Sequence, residues 1–289
     1  MSILINQDTR VIVQGITGRL GAYHTQKMIE YGTKVIAGVT PKKGGTEVNG
    51  VPVYDTLKEA MKYHPADAVI PFVPAPFVRD AILEAIEVGI ILVVIPVEGM
   101  PVKDMMIVKQ ILKNSRTLLI GPNSPGMISA GECSIGILPG DVYRKGPVGI
   151  VSRSGTFSIL IADVITKASL GQTSALGIGG DPITGTSFME ILKEFEKDPE
   201  TKVIVLIGEI GGTSEEEAAE YIRCEISKPV VAIIAGKTAP SGKTMGHAGA
   251  IITGGKGSYD SKIKTLEKAG ILVAKTTKEV ASLVKEALQ

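Results

Sequence analysis

Ten short apolar runs, separated by amphipathic polar stretches and mostly closed by glycine, proline or serine, constrain this chain more than any other feature. They are Arg10–Gln14, Lys34–Val39, Asp67–Val73, Ile90–Val97 and Leu118–Gly121, then Val148–Val151, Ser174–Ile178, Val203–Ile207, Pro229–Gly236 and Ile271–Ala274. Within each run the apolar residues are nearly continuous rather than alternating with polar ones. That pattern suits strands covered on both faces by helices, and so predicts parallel sheets in an α/β fold. A length of 289 residues accommodates two such units. The division expected is 1–125 and 126–289.

The first unit opens with a strand that runs into Gly15-Ile16-Thr17-Gly18-Arg19-Leu20-Gly21 and then a helix through about Tyr31. Strand, glycine turn and helix form a mononucleotide-binding entry, with the helix amides facing an anion. The spacing is G-x-x-G-x-x-G, not the G-x-G-x-x-G of dinucleotide enzymes, so the motif alone is weak. An NAD site would place an acid at the end of the second strand. Here the chain reads Thr40-Pro41-Lys42-Lys43-Gly44-Gly45. Two lysines suit a phosphorylated ribose, as in NADP or coenzyme A; solvated lysines in a turn are the plainer reading. The loops at Pro74-Ala75-Pro76, Glu98-Gly99-Met100-Pro101 and Pro122–Gly126 are expected along the same crevice.

The second unit reads as flavodoxin-like. Ser152-Arg153-Ser154-Gly155-Thr156 follows its first strand and opens a helix through about Ala168. Such residues cap a helix, and can leave amides free for phosphate. The third strand runs into Gly208-Glu209-Ile210-Gly211-Gly212, and the fourth leads to Met245-Gly246-His247-Ala248-Gly249-Ala250. Small neighbours leave the His247 imidazole approachable. A neutral imidazole is a nucleophile and can carry a covalent group, while a carboxylate holding one ring nitrogen leaves the other free. Strand-end loops of this fold would gather Ser154, Glu209 and His247 on one rim. Gly236–Thr244 imitates a P-loop, but five residues separate its glycines where four are required, and Pro240 interrupts it.

Thirty-one basic against thirty acidic side chains point to neither nucleic acid nor a membrane surface. Two distant cysteines and three histidines without ligand spacing suggest no disulfide framework and no metal centre. The start of the chain lacks the features of a signal peptide, and no apolar run reaches spanning length. A soluble, cytoplasmic protein is expected.

Taken in order, several strings resemble the alpha subunit of succinyl-CoA synthetase (succinate–CoA ligase) over essentially the whole chain. They include Val13–Gly18, Gly38–Pro41, Val73–Phe77, Gly121–Asn123, Ser152–Thr156, Gly177–Pro182, Ile207–Gly212 and Met245–Ala250. The resemblance implies a Rossmann-like CoA-binding domain followed by the flavodoxin-like domain. It implies a phosphohistidine at His247 oriented by Glu209, with phosphate cradled at Ser154, Gly155 and Thr156. CoA contacts carry over to Thr17, Gly18, Arg19, Leu20 and Lys43, and to Pro96, Val97 and Glu98. It further implies a beta subunit of ATP-grasp fold that brings ATP or GTP with Mg²⁺, in an αβ or α₂β₂ heteromer. Ile159 stands where the family carries a tyrosine beside the organic acid, so a ligase for a related acid such as malate is the near rival. An NADP-dependent oxidoreductase and a non-catalytic CoA-binding regulatory module are the rivals of other classes.

Overall fold

The structure, a computed structural model, describes residues 2–252 and 257–289. The first half holds β1 (Arg10–Gln14), α1 (Arg19–Tyr31), β2 (Lys34–Val39), β3 (Glu47–Val48), β4 (Val51–Tyr54) and α2 (Leu57–Tyr63). It continues through β5 (Ala68–Pro71), α3 (Val78–Glu87), β6 (Leu92–Val94), α4 (Val102–Leu112) and β7 (Leu118–Ile120). Their sheet runs β3-β4-β2-β1-β5-β6-β7. From β4 onward every pairing is parallel. This is the strand order of a dinucleotide-binding sheet, with its reversal point between β1 and β5.

The second half holds β8 (Gly126–Ser129), β9 (Cys133–Gly136), β10 (Lys145–Ser152), α5 (Gly155–Lys167), β11 (Gln172–Gly177), α6 (Phe188–Lys197) and β12 (Val203–Glu209). After these come α7 (Ser214–Glu225), β13 (Val230–Ala235), α8 (Tyr259–Lys268), β14 (Leu272–Ala274) and α9 (Thr277–Ala287). The order β14-β13-β12-β10-β11-β8-β9 contains the flavodoxin arrangement in its five parallel strands, with the reversal point between β10 and β12. The sheet is not wholly parallel as expected: β8 pairs antiparallel with β11, and β9 with β8. Those short glycine-bearing segments extend the edge that a parallel-only reading leaves bare.

Local chemistry accounts for the elements. All seven residues of β12 are buried, as a central strand between helical layers requires. In α6, Ser187 and Glu190 form a reciprocal capping box, and Phe188, Ile191, Leu192 and Phe195 line the buried face. The two halves interlock. Thr33 Oγ1 donates to Ser134 O at 2.8 Å, Thr186 Oγ1 to Leu119 O at 2.7 Å, and Lys109 Nζ to Thr184 O at 3.0 Å. Among the described residues no helix is long and apolar enough to cross a membrane.

Candidate active site

Glu209 is the last residue of β12, in register with Ala235 of β13, not a loop acid beyond the strand. Its carboxylate is buried, and His247 Nδ1 stands 3.0 Å from Oε1 and 2.8 Å from Oε2. Nδ1–H therefore donates to Glu209, and Nε2 keeps the lone pair. The hydrogen bond to Glu209 raises the His247 pKa above 6.5; burial and Arg153 pull it down, while the charges of Glu209 and Glu98 push it up.

The turn carrying His247 is pinned by its own backbone. Met245 N–H donates to Ala250 O at 2.9 Å, Ala250 N–H to His247 O at 3.0 Å, and Gly249 N–H to Gly180 O at 3.1 Å. Gly180 lies flat against the imidazole: a methyl group there would stand 2.5 Å from Nδ1 and 2.7 Å from Cδ2. Its neighbour Asp181 accepts from Asn123 Nδ2 at 3.1 Å. Burial raises the Asp181 pKa, and the bond from Asn123 opposes that rise. Asn123 N–H in turn donates to Val97 O at 2.9 Å. Val97 is thus tied through Asn123 and Gly180 to the histidine turn.

Ser154 caps α5 at the carboxyl end of β10, on the same sheet rim as Glu209. Its Oγ accepts from Phe157 N–H at 3.3 Å, and its own N–H donates to Ser152 Oγ at 3.0 Å. The Gly155 and Thr156 amides fall in the first turn, outside the helix ladder, and remain available to an anion. Ile159 is half-buried and packs against the core beneath α5.

In the first half, Gly18 caps α1 without a side-chain bond, and no acid occupies the first turn. The helix enters so close to the preceding turn that a methyl on Gly21 would sit 2.9 Å from the carbonyl carbon of Gly15. A cleft of about 680 Å³ opens at the reversal point, lined by Gly15, Thr17, Gly18, Thr40, Phe72 and Phe77 among others. It gathers Thr17 and Gly18, whereas Arg19, Leu20, Lys43, Pro96, Val97 and Glu98 lie outside its lining. Thr17 Oγ1 bonds Thr40 Oγ1 at 3.2 Å, joining the two turns. Arg19, Leu20, Lys43 and Glu98 are exposed.

Sequence reasoning assigned no role to Arg153, although it lies inside a quoted string, and missed Glu215 and Lys262. Arg153 Nη2 stands 3.3 Å from Glu209 Oε1, and Nη1 donates to Gly211 O at 3.0 Å and faces Glu215 Oε1 at 3.5 Å. Fully buried Lys262 pairs with Glu215, bonds Glu216 Oε2 at 2.9 Å and reaches Gly212 O at 3.1 Å. No local pattern marks a lysine of a polar helix as buried.

Comparisons with known proteins bear on the two halves of the chain. The family profile described as CoA binding domain matches residues 6–99, and that described as CoA-ligase matches 151–272. The fold and site thus define an acid–thiol ligase chain with a CoA-binding front half. The chain is 55% identical over its full length, and over 95% of the relative, to the ADP-forming succinate–CoA ligase subunit alpha of Aquifex aeolicus. It is 56% identical, with 100% of both chains covered, to subunit alpha 2 of that ligase from Archaeoglobus fulgidus. The chain belongs to the family of succinate–CoA ligase alpha subunits. Among solved structures, Methanosaeta concilii ATP citrate lyase in complex with (3S)-citryl-CoA superposes with a TM-score of 0.90 at 25% identity. That match covers 99% of this chain, which spans only 50% of the lyase chain.

Proposed function

We propose that this chain is the alpha subunit of a succinate–CoA ligase, interconverting succinate, CoA and nucleoside triphosphate with succinyl-CoA, nucleoside diphosphate and phosphate. The observation that carries the reading is the grip of Glu209 on Nδ1 of His247, at 2.8 and 3.0 Å, which leaves Nε2 as the nucleophile. Nε2 takes the terminal phosphoryl group, and the Gly155 and Thr156 amides receive its oxygens at the start of α5. Glu209 holds the imidazole in place as charge develops on it, as a carboxylate does for a catalytic histidine. The phosphoryl group then passes to succinate, and the thiol of CoA displaces phosphate from the resulting acyl phosphate. A covalent intermediate divides one difficult condensation into easier transfers.

Residues 1–125 hold CoA, whose phosphates meet the α1 amides around Thr17, Gly18, Arg19 and Leu20, with Lys43 at the phosphorylated ribose. Pro96, Val97 and Glu98 border its reactive arm, and Asn123 links that segment to the histidine turn. Residues 126–289 carry the phosphohistidine, with Ile159 near the organic acid. The nucleotide, ATP or GTP, and Mg²⁺ come with a beta subunit of ATP-grasp fold in an αβ or α₂β₂ assembly. Among the described residues no three His, Cys, Asp or Glu side chains converge on a point where a cation would sit. The cellular compartment proposed is the cytoplasm.

The test is labelling with γ-³²P nucleotide in the presence of the beta subunit and Mg²⁺. Wild type takes acid-labile, base-stable label that succinate and CoA discharge; His247→Gln takes none. Absence of label from a competent complex would sink the mechanism, and discharge by malate alone would reassign the acid.

A further inference from the structure

Among the described residues His247 interacts electrostatically with three acids and one base. Glu209 comes from β12, Asp181 from the loop after β11, and Glu98 from the loop after β6; against them stands Arg153, at the end of β10. Three carboxylates would together hold the ring as imidazolium, which has no lone pair on Nε2 and cannot attack phosphorus. They would also repel a phosphoryl group carrying nearly two negative charges.

We propose that Arg153 is the positioning residue that keeps His247 a nucleophile: its guanidinium, wedged between Glu209 and Glu215, offsets the surrounding acids and locks Glu209 against Nδ1. This rests on the phosphohistidine reading above. The fork reaches two carboxylates and a carbonyl from one planar group, with Glu209 Oε1 at 3.3 Å, Glu215 Oε1 at 3.5 Å and Gly211 O at 3.0 Å. A lysine offers a single point of charge instead. Glu215 Oε1 also accepts the Glu209 backbone N–H at 3.1 Å, so one carboxylate fixes both the strand end and the counter-ion. Behind it, Lys262 on α8 pairs with both Glu215 and Glu216 and so anchors the Glu215 carboxylate where Arg153 meets it. Arg153 and Glu209 side chains are 7% and 8% exposed, so water screens their interaction little.

The experiment compares wild type, Arg153→Met and Arg153→Lys by two readouts. ¹⁵N-histidine NMR of the full chain gives the His247 titration without any activity, its resonance assigned by its loss in His247→Gln. The labelling rate of the complex against pH gives the acid limb. In Arg153→Met both move to higher pH; in Arg153→Lys both return toward wild type, while the maximal rate falls about tenfold because one ammonium cannot hold both carboxylates. An Arg153→Met chain that melts cooperatively yet titrates with wild type would overturn the proposal. So would an Arg153→Lys chain whose histidine moves as far as that of Arg153→Met. If Arg153→Met does not fold, Arg153→Lys decides: a labelling rate equal to wild type refutes the lock. Failure of wild type to label strikes the phosphohistidine reading, and the NMR titration still measures the hold of Arg153 on His247.

Discussion

Gly180→Ala tests the site geometry with the smallest possible perturbation. The added methyl would lie 2.5 Å from His247 Nδ1 and 2.7 Å from Cδ2. Non-bonded carbon contacts settle near 3.5–4.0 Å, so the ring must retreat by roughly 1 Å. Gly180 does not occupy the left-handed region, so its backbone accepts alanine without strain and the cost falls on the contact. Moving Gly180 instead offers no escape, because its carbonyl accepts from Gly249 N–H at 3.1 Å and the histidine turn would follow. Because Gly180 lies against the ring face, the retreat runs along the ring normal: it tilts the 2.8 Å bond to Glu209 out of the ring plane and displaces Nε2 by the same distance. Misplacing a reacting group by about 1 Å costs ~10²-fold in rate. That corresponds to about 2.7 kcal/mol on the barrier. The assay is the first-order rate of label incorporation from γ-³²P nucleotide, with a thermal melt as control for folding. Labelling within about threefold of wild type, in a chain that melts normally, would refute the claim that ring position is set by this contact.

Other perturbations address separate parts of the molecule. The raised pKa of His247 means that its protonated form stabilises the fold; this contribution is complete below 6.5 and is lost as pH rises through the raised value. His247→Gln should therefore lower the melting temperature more at about pH 5.5 than at about pH 8.5, and an equal loss at both would contradict the assignment. The same titration places the acid limb of labelling above 6.5, since only neutral imidazole attacks. Cys224 is exposed, whereas burial pushes the Cys133 thiol up to about 11. A colorimetric thiol reagent should modify Cys224 promptly and Cys133 only on denaturation; equal rates would place Cys133 outside the core. Gly21→Ala presses a methyl into the Gly15 turn, and calorimetry should show CoA binding weakened about tenfold, with His247 labelling retained. Loss of both functions would mean that the entry turn supports the whole chain.

What could be read from the residues alone, and what could not, divides along a physical line. Continuous apolar runs announced the parallel strands, and small neighbours announced His247, because both are properties of consecutive residues. Four-residue β8 and β9 escaped notice: Gly126 and Gly136 look like loop, although every residue of both strands is buried. Glu209 reads from the sequence as a carboxylate just past a strand ending at Ile207, and the strand in fact includes it; an ionised carboxylate in the last register position of a central strand is costly unless paired. The partner that makes it tolerable, Arg153, precedes it by a whole strand and two helices, so no local window contains both. Lys262 is the extreme case. It sits in Tyr259–Lys268, whose polar sequence reads as a solvated face, yet it is 0% exposed because Glu215 and Glu216 meet it there. A buried ion pair is a relation between distant positions, and each member alone carries the sequence signature of a surface residue. The nucleophile and its Glu209 partner are therefore visible in the chain, while the counter-charge of Arg153 and the ion pairs behind it appear only once β10, β12, α7 and α8 are brought together.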